Sequence, residues 1–278
     1  EEPIPDIFDR TLGIPAPLVT ALAASNIQTT TARLNGQISD DAGEACQYRF
    51  RYKKSGGSYS YTAWTGSKTT GQTFYEDIDS LVIGSLYYFN AQAKNSVVEG
   101  VWGNELSFTT KPPAPTNVSA TDGDYTDEVV ITWIRSSGAT QYQVYRDGVG
   151  LGWLGDVNAY DDNGADPPTI TPGSASASDG AYVAYVKLIL SGQSVNNGTT
   201  HTYKVRAKND AGESGDSETD TGYRGHGELA YQWQRSSGDA PSGYSNIDGA
   251  NTAIYYDTSA PADGGGRYYR CIEYAEGA

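Results

Sequence analysis

The sequence predicts an all-β protein built from serial antiparallel β-sandwiches. Three observations carry that expectation. Apolar and polar residues alternate with a period of two, Gly and Asp cluster between the alternating runs, and proline-marked joints cut the chain into sandwich-sized lengths. No convincing helical period occurs. With 278 residues the chain exceeds one ordinary sandwich and fits two or three domains of about 100 residues each.

The elements follow in order. Residues 1–15 form an N-terminal arm whose Pro3, Pro5 and Pro15 limit it to short pairing around Ile7-Phe8. A first joint, Ile14-Pro15-Ala16-Pro17, opens a unit spanning 16–110. Within it, Cys46-Gln47-Tyr48-Arg49-Phe50-Arg51-Tyr52-Lys53 puts Cys, Tyr, Phe and Tyr on one face and Gln, Arg, Arg and Lys on the other. That is a strand with one buried and one wet face. A second joint, Lys111-Pro112-Pro113-Ala114-Pro115, opens a longer unit over 111–224. There Val129–Trp133 and Tyr142–Tyr145 suggest a strand pair joined across Ser136-Ser137-Gly138. Residues 167–192 read as an extra strand pair around the turn Ser178-Asp179-Gly180. The remainder, 225–278, is too short for a complete sandwich.

Composition narrows the classes. The apolar fraction is skewed toward Tyr, at 22 against 5 Phe, 5 Trp and no Met, a mix that excludes a coiled coil; no glycine period of three suggests collagen. No apolar run is long enough to span a membrane. Acidic residues outnumber basic ones 34 to 19, for a net charge of −15. Such a surface repels phosphate backbones, so nucleic acid is not an expected partner. The cysteines, Cys46 and Cys271, exclude a disulfide framework, and their separation by a whole unit argues against an intrachain bond. A chain that opens on Glu1 without any Met is expected to be a processed or cloned segment, and a removed secretion signal would account for it.

Two segments align without gaps: Gly84-Ser85-Leu86-Tyr87-Tyr88-Phe89-Asn90-Ala91-Gln92-Ala93-Lys94-Asn95 and Gly198-Thr199-Thr200-His201-Thr202-Tyr203-Lys204-Val205-Arg206-Ala207-Lys208-Asn209. Each resembles the penultimate strand of fibronectin type III domains, and residues 16–224 resemble such repeats from bacterial extracellular proteins. Leu81, the run Val129-x-Ile131-x-Trp133 and Tyr142-x-Val144 fit the same pattern. Two departures stand out. Gly36 takes the place of a core Trp, and His201 takes that of Tyr87, where the resemblance implies a tyrosine corner bonded to a backbone carbonyl. His201 is read as structural. Tyr231-Gln232-Trp233-Gln234 and Gly266-Arg267-Tyr268-Tyr269-Arg270-Cys271 resemble the Trp and Tyr-x-Cys strands of a partial immunoglobulin-like domain. The partner Cys is absent, so Cys271 is expected to pack as a small apolar group. Strands before Tyr231 and after Tyr274 are missing.

Catalytic signatures do not occur. The histidines are His201, in a strand, and His226, in a Gly-rich joint; no nucleophile elbow, phosphate loop or zinc motif is present, so no enzyme is expected. Calcium is the one cofactor considered: Asp156, Asp161, Asp162, Asn163 and Asp166 form the densest oxygen cluster, without the spacing of a helical-hand loop. Trp64, Trp102 and Trp153, in Gly-rich contexts, are candidates for stacking on a glycan or anchoring an interface. Asn117 and Asn197 head N-glycosylation sequons.

The expected role is a non-catalytic structural or adhesive component of a microbial cell surface or extracellular filament. Its expected partners are other copies of itself or other assembly proteins. The alternatives are a phage or virus tail or decoration protein and the carbohydrate-binding accessory region of a secreted enzyme. The surplus strands of 167–192 and the deficit in 225–278 suggest completion by a donated strand. Donors left open are the surplus pair, a neighbouring chain and the N-terminal arm.

Overall fold

The computed structural model describes residues 13–178, 184–262 and 265–278; the Ile7-Phe8 stretch of the arm lies outside them, as do Asp179 and Gly180 of the expected turn. Every regular element among the described residues is a strand. The architecture is all-β, with antiparallel sheets packed around three cores in the manner of type III and immunoglobulin-like sandwiches.

The first unit contains β1 (Leu18–Ser25), β2 (Ala32–Asp40), β3 (Cys46–Lys54), β4 (Ser60–Tyr61), β5 (Thr65–Lys68), β6 (Thr73–Ile78), β7 (Leu86–Lys94) and β8 (Leu106–Thr109). One sheet has the order β1-β2-β6, and the facing sheet β4-β3-β7-β8 with β5 also on β3. Leu34, Ile38, Phe50 and Phe89 point between the sheets and are fully buried. Burial of such a side chain contributes about 1.5–3 kcal/mol. Gly36 has a physical reason: the Phe74 ring lies where a Cβ would stand, 2.5 Å from that position. The space of a core Trp is thus filled from β6, where Phe74 also stacks on Tyr48 at 4.2 Å. The tyrosine corner differs from expectation in its partner. The Val82 N–H donates to the Tyr87 hydroxyl at 2.8 Å, so a main-chain amide rather than a carbonyl is satisfied.

The second stretch contains β9 (Thr116–Ala120), β10 (Val129–Ile134), β11 (Gln141–Arg146), β12 (Val149–Leu154), β13 (Ala159–Asp162), β14 (Thr169–Thr171), β15 (Ser174–Ala177), β16 (Val186–Ser191), β17 (Ser194–Asn196), β18 (His201–Asn209), β19 (Gly212–Glu213) and β20 (Asp220–Gly222). Its sheets are β13-β10-β9 and β12-β11-β18-β19, with β20 also on β18. The expected pairing of β10 with β11 is corrected here. Both strands bury alternate residues against the same core, Trp133 facing Tyr142 at 5.6 Å, so the Ser136-Ser137-Gly138 turn carries the chain from one sheet to the other.

The remaining strands are β21 (Ala230–Arg235), β22 (Ser245–Asn246), β23 (Ile254–Asp257) and β24 (Tyr269–Tyr274). One sheet of the third unit is β22-β21-β24; the other is β15-β16-β23. The surplus hairpin within 167–192 therefore lies in the sheet of the third unit, with Val186–Ile189 paired antiparallel to Asp257–Ile254. Leu188 and Leu190 join Trp233, Ile247 and Ala250 in the third core. A two-stranded ribbon, β14 on β17, carries the hairpin out and back. The second and third units are thus interleaved: the first two strands of the third precede the last strands of the second.

The two joints differ. Between the second and third units the chain passes three times, and the Gly173 N–H donates to Glu273 Oε1 at 2.9 Å across it. Between the first and second units it passes once. There Gly84 and Gly138 meet backbone to backbone, a Cβ on Gly84 falling 2.0 Å from the Ser137 carbonyl oxygen. Asn209 Nδ2 donates across this joint to the Thr110 carbonyl and within its own unit to that of Gly138, each at 3.0 Å.

Candidate functional site

The outer face of the β3–β7 sheet gathers most of the chain's surface cation–aromatic chemistry. Alternation on β3 turns Arg49, Arg51 and Lys53 outward while Tyr48 and Phe50 face the core. The loop after β4 brings Trp64 over the face, and the segment before β8 brings Trp102. Arg49 lies 4.3 Å from the Trp64 ring centre, and Arg51 lies 4.4 Å from Trp102 and 4.3 Å from Tyr59. Lys53 and Lys94 extend the ladder over Tyr59 and Trp64, at 4.5 and 4.8 Å. Each half-exposed contact of this kind contributes about 0.5–1 kcal/mol and holds the cation in place. Arg49 donates from Nε and Nη2 to Gln92 Oε1, and Arg51 Nε donates to Asn90 Oδ1 at 3.0 Å. The only ion pair described for these four cations joins Arg49 to Glu99 at 3.3 Å.

The second unit carries a ladder on the matching sheet, with its cations on the other strand: Lys204 and Arg206 of β18 stand where β7 has Asn90 and Gln92, and Gln143 and Tyr145 of β11 stand where β3 has Arg49 and Arg51. Cross-strand pairing matches Tyr52↔Phe89 with Arg146↔Tyr203, as the gapless alignment requires. The closing segments also correspond. Gly100 and Gly103 donate to the carbonyls of Ala93 and Ala91, as Ser214 and Ser217 donate to those of Ala207 and Val205. Glu99 therefore matches Glu213, and Trp102 matches Asp216. In the second unit Asp216 binds Lys204 at 2.7 Å and Arg206 through Nε, while Glu213 reaches Arg206 at 3.5 Å. Hydrogen bonds from Arg206 first and Lys204 second hold the Asp216 carboxyl down to about 2, and the Arg206 guanidinium is pushed up in return. In the first unit a Trp takes the place of that carboxylate.

Of the aromatic candidates, Trp64 and Trp102 come together around Arg49; Trp153, on β12, lies in the second unit with Lys208 at 3.9 Å. All three rings have a cation on one face, which removes that face from sugar stacking. The acidic cluster is dispersed. Asp161 and Asp162 are neighbours on β13 and point to opposite sides of its sheet. Asp156 lies near Arg135, Asn163 donates to Glu128, and the Asp166 carboxylate lies 3.8 Å from His201. Among the described residues no group of three or more His, Cys, Asp or Glu is arranged to hold a metal ion.

Asp162 instead belongs to a buried network that sequence reasoning missed. Arg146 Nη1 donates to both of its oxygens at 2.9 Å, and the Tyr203 hydroxyl donates to Oδ2 at 2.9 Å. Burial first, then that carboxylate, raises the Tyr203 phenol. The third unit repeats the arrangement with Arg235, Asp257 and Tyr269 on the matching strands. One signal was available: Asp162 follows Tyr160 at period two on the inward face.

His201 also serves the fold. The Asp166 N–H donates to Nε2 at 3.3 Å, which leaves the proton on Nδ1, 2.6 Å from Asp147 Oδ2. It thus accepts a main-chain amide as Tyr87 does. Both thiols are free; burial pushes Cys46 and Cys271 up, away from the reactive thiolate. Asn117 and Asn197 are exposed.

No family model matches the chain. No curated protein matches it either. Among solved structures it is similar to a two-domain fibronectin type III segment of chicken tenascin, at 13% identity over 74% of this chain and 98% of that one, TM-score 0.36. It is also similar to the FN1–FN3 domains of chicken CNTN1, at 15% identity over 95% and 99%, TM-score 0.30. A third is the sensor domain of the anti-sigma factor RsgI4 of Pseudobacteroides cellulosolvens, at 16% identity over 35% and 97%, TM-score 0.29. Scores at this level carry no functional argument. No helix among the described residues is long and apolar enough to cross a membrane.

Proposed function

We propose that the chain is a non-catalytic structural or adhesive component of a microbial surface or extracellular assembly, in which linked sandwiches hold a binding face in fixed position. The observation that supports this is the construction of the joints. Three chain passages tie the second unit to the third, and the Gly84–Gly138 contact leaves no room for a side chain at the other joint. A module that only needed a flexible tether would require neither. Partners are other copies or other proteins of the assembly. The glycan-binding alternative is weakened by the cations seated on Trp64, Trp102 and Trp153.

Small-angle scattering tests the proposal. The wild-type curve is expected to fit one arrangement at low and high salt. Gly84→Ala, which forces a Cβ against Ser137 and strains a positive φ, is expected to broaden it. A wild-type curve that needs many arrangements would overturn the proposal.

A further inference from the structure

On the first-unit ladder Glu99 pairs with Arg49 and Glu105 accepts from the Tyr59 hydroxyl, but no carboxylate reaches Arg51, Lys53 or Lys94 among the described residues, and the second unit shows a carboxylate segment lying over cations of the matching sheet. In the second unit an extended acidic segment, Asp216-Ser217-Glu218-Thr219-Asp220, runs beside β18, and its first carboxylate binds the ladder cations. In the first unit the matching segment holds Trp102, and Arg51, Lys53 and Lys94 have no ion-pair partner among the described residues. Charge is distributed accordingly. Residues 16–110 hold 7 basic and 8 acidic side chains, whereas 111–224 hold 8 and 15. The first unit is thus nearly neutral overall, with Arg49, Arg51, Lys53 and Lys94 together on one face.

We propose that the β3–β7 face of the first unit docks an extended acidic polypeptide segment, whose alternate carboxylates pair with Arg51 and Lys53 over the rings of Tyr59 and Trp102, while Lys94 over Trp64 adds positive charge on the neighbouring strand. The geometry selects a peptide. Outward side chains on β3 recur every two residues, roughly 6.7 Å, and an extended segment with Asp or Glu at every second position has the same repeat. The aromatic rings hold the cations in place before binding, which lowers the ordering cost of the complex. The assembly role proposed above gives this face its context: the segment it docks belongs to another protein of that assembly.

The test uses the full chain and a fluorescein-labelled 16-residue peptide of repeated Asp-Ser-Glu-Thr, with Asn-Ser-Gln-Thr as its neutral control. Fluorescence anisotropy should show saturable binding of the acidic peptide only, weakened at least tenfold between about 20 and 200 mM salt. Arg51→Glu with Lys53→Glu should weaken it at least tenfold. Trp102→Asp, which installs the second unit's carboxylate, should do likewise while leaving circular dichroism unchanged. Lys208→Glu, in the second unit, should have no effect. Absence of binding, binding indifferent to both sets of variants, or capture of polygalacturonate in preference to the peptide would overturn the proposal. Any of these results alongside a single-arrangement scattering curve would remove the docking face and leave the proposed structural role standing.

Discussion

The first and third units reach a closed sandwich by different routes. The first takes all its strands from one stretch, β1 to β8, and its sheets close around a core of Phe, Tyr and aliphatic side chains. The third takes β15 and β16 from a hairpin lying between the second unit's β13 and β18 in sequence, and only then adds β21 to β24. Order along the chain therefore does not decide which core a strand joins. What decides it is where an alternating strand can satisfy both its ladder and its apolar face. Leu188 and Leu190 find that place beside Trp233, 43 to 45 residues away.

A second contrast runs through the same three strand positions. In the first unit they are apolar or aromatic, with Tyr52 opposite Phe89 and Ile78, paired with Ala32 as Asp162 is with Val129, at the third. In the second and third they hold an Arg–Asp–Tyr network, with Asp162 and Asp257 almost completely buried. Breaking such a network by removing one partner costs more than trimming an apolar contact, because the remaining charge is left uncompensated.

The largest effect is expected from excising residues 172–193 and joining Thr171 directly to Ser194, which are already paired across the ribbon. The third unit should lose its folded state while the first and second keep theirs. Proton NMR of the Trp233 indole, which donates to the Thr252 carbonyl at 2.9 Å, reports it directly. Next comes Asp257→Ala, which strands Arg235 and should cost about 3 kcal/mol by urea unfolding of the third unit, the lower end for a buried pair because Arg235 is partly exposed. Asp162→Ala should act similarly on the second unit. Leu188→Ala should then cost about 2–3 kcal/mol, and it should appear in the third unit's transition although residue 188 lies within the stretch of the second.

The smallest effect is electrostatic. Asp216 is held down to about 2 by Arg206 and Lys204, against about 3.9 in an unfolded chain. Its contribution is fully present above the unfolded value and is lost as pH falls through about 2. Thermal midpoints of the wild type and Asp216→Asn should therefore differ by a small margin at pH 5 and converge toward pH 2. The first unit, with Trp102 at that position, contributes nothing to the difference.

Much of this was legible in the sequence, and for local reasons. Alternation along Cys46–Lys53 and the Leu81–Tyr87 pair are patterns a single strand or corner writes into adjacent residues. The surplus at 167–192 and the deficit at 225–278 were also visible, because each is a count of strands. The hairpin's destination was not, since only the ladder to β23 fixes it. The acidic cluster misled for a related reason. Asp162 finds Arg146 and Tyr203 at 16 and 41 residues' distance, while the neighbour Asp161 points away. The equivalence of Trp102 and Asp216 was hidden because the segments holding them share little beyond Glu99 and Glu213, and only the hydrogen-bond register to β7 and β18 aligns them.

Interleaving of the second and third units is tested most directly by amide hydrogen exchange on Trp233→Ala, a change expected to remove about 3–5 kcal/mol from the third core alone. The account predicts that amides of Val186–Ser191 lose protection together with those of Ile254–Asp257, while His201–Asn209 remains protected. Protection of Val186–Ser191 that instead follows His201–Asn209 and ignores Trp233→Ala would contradict it.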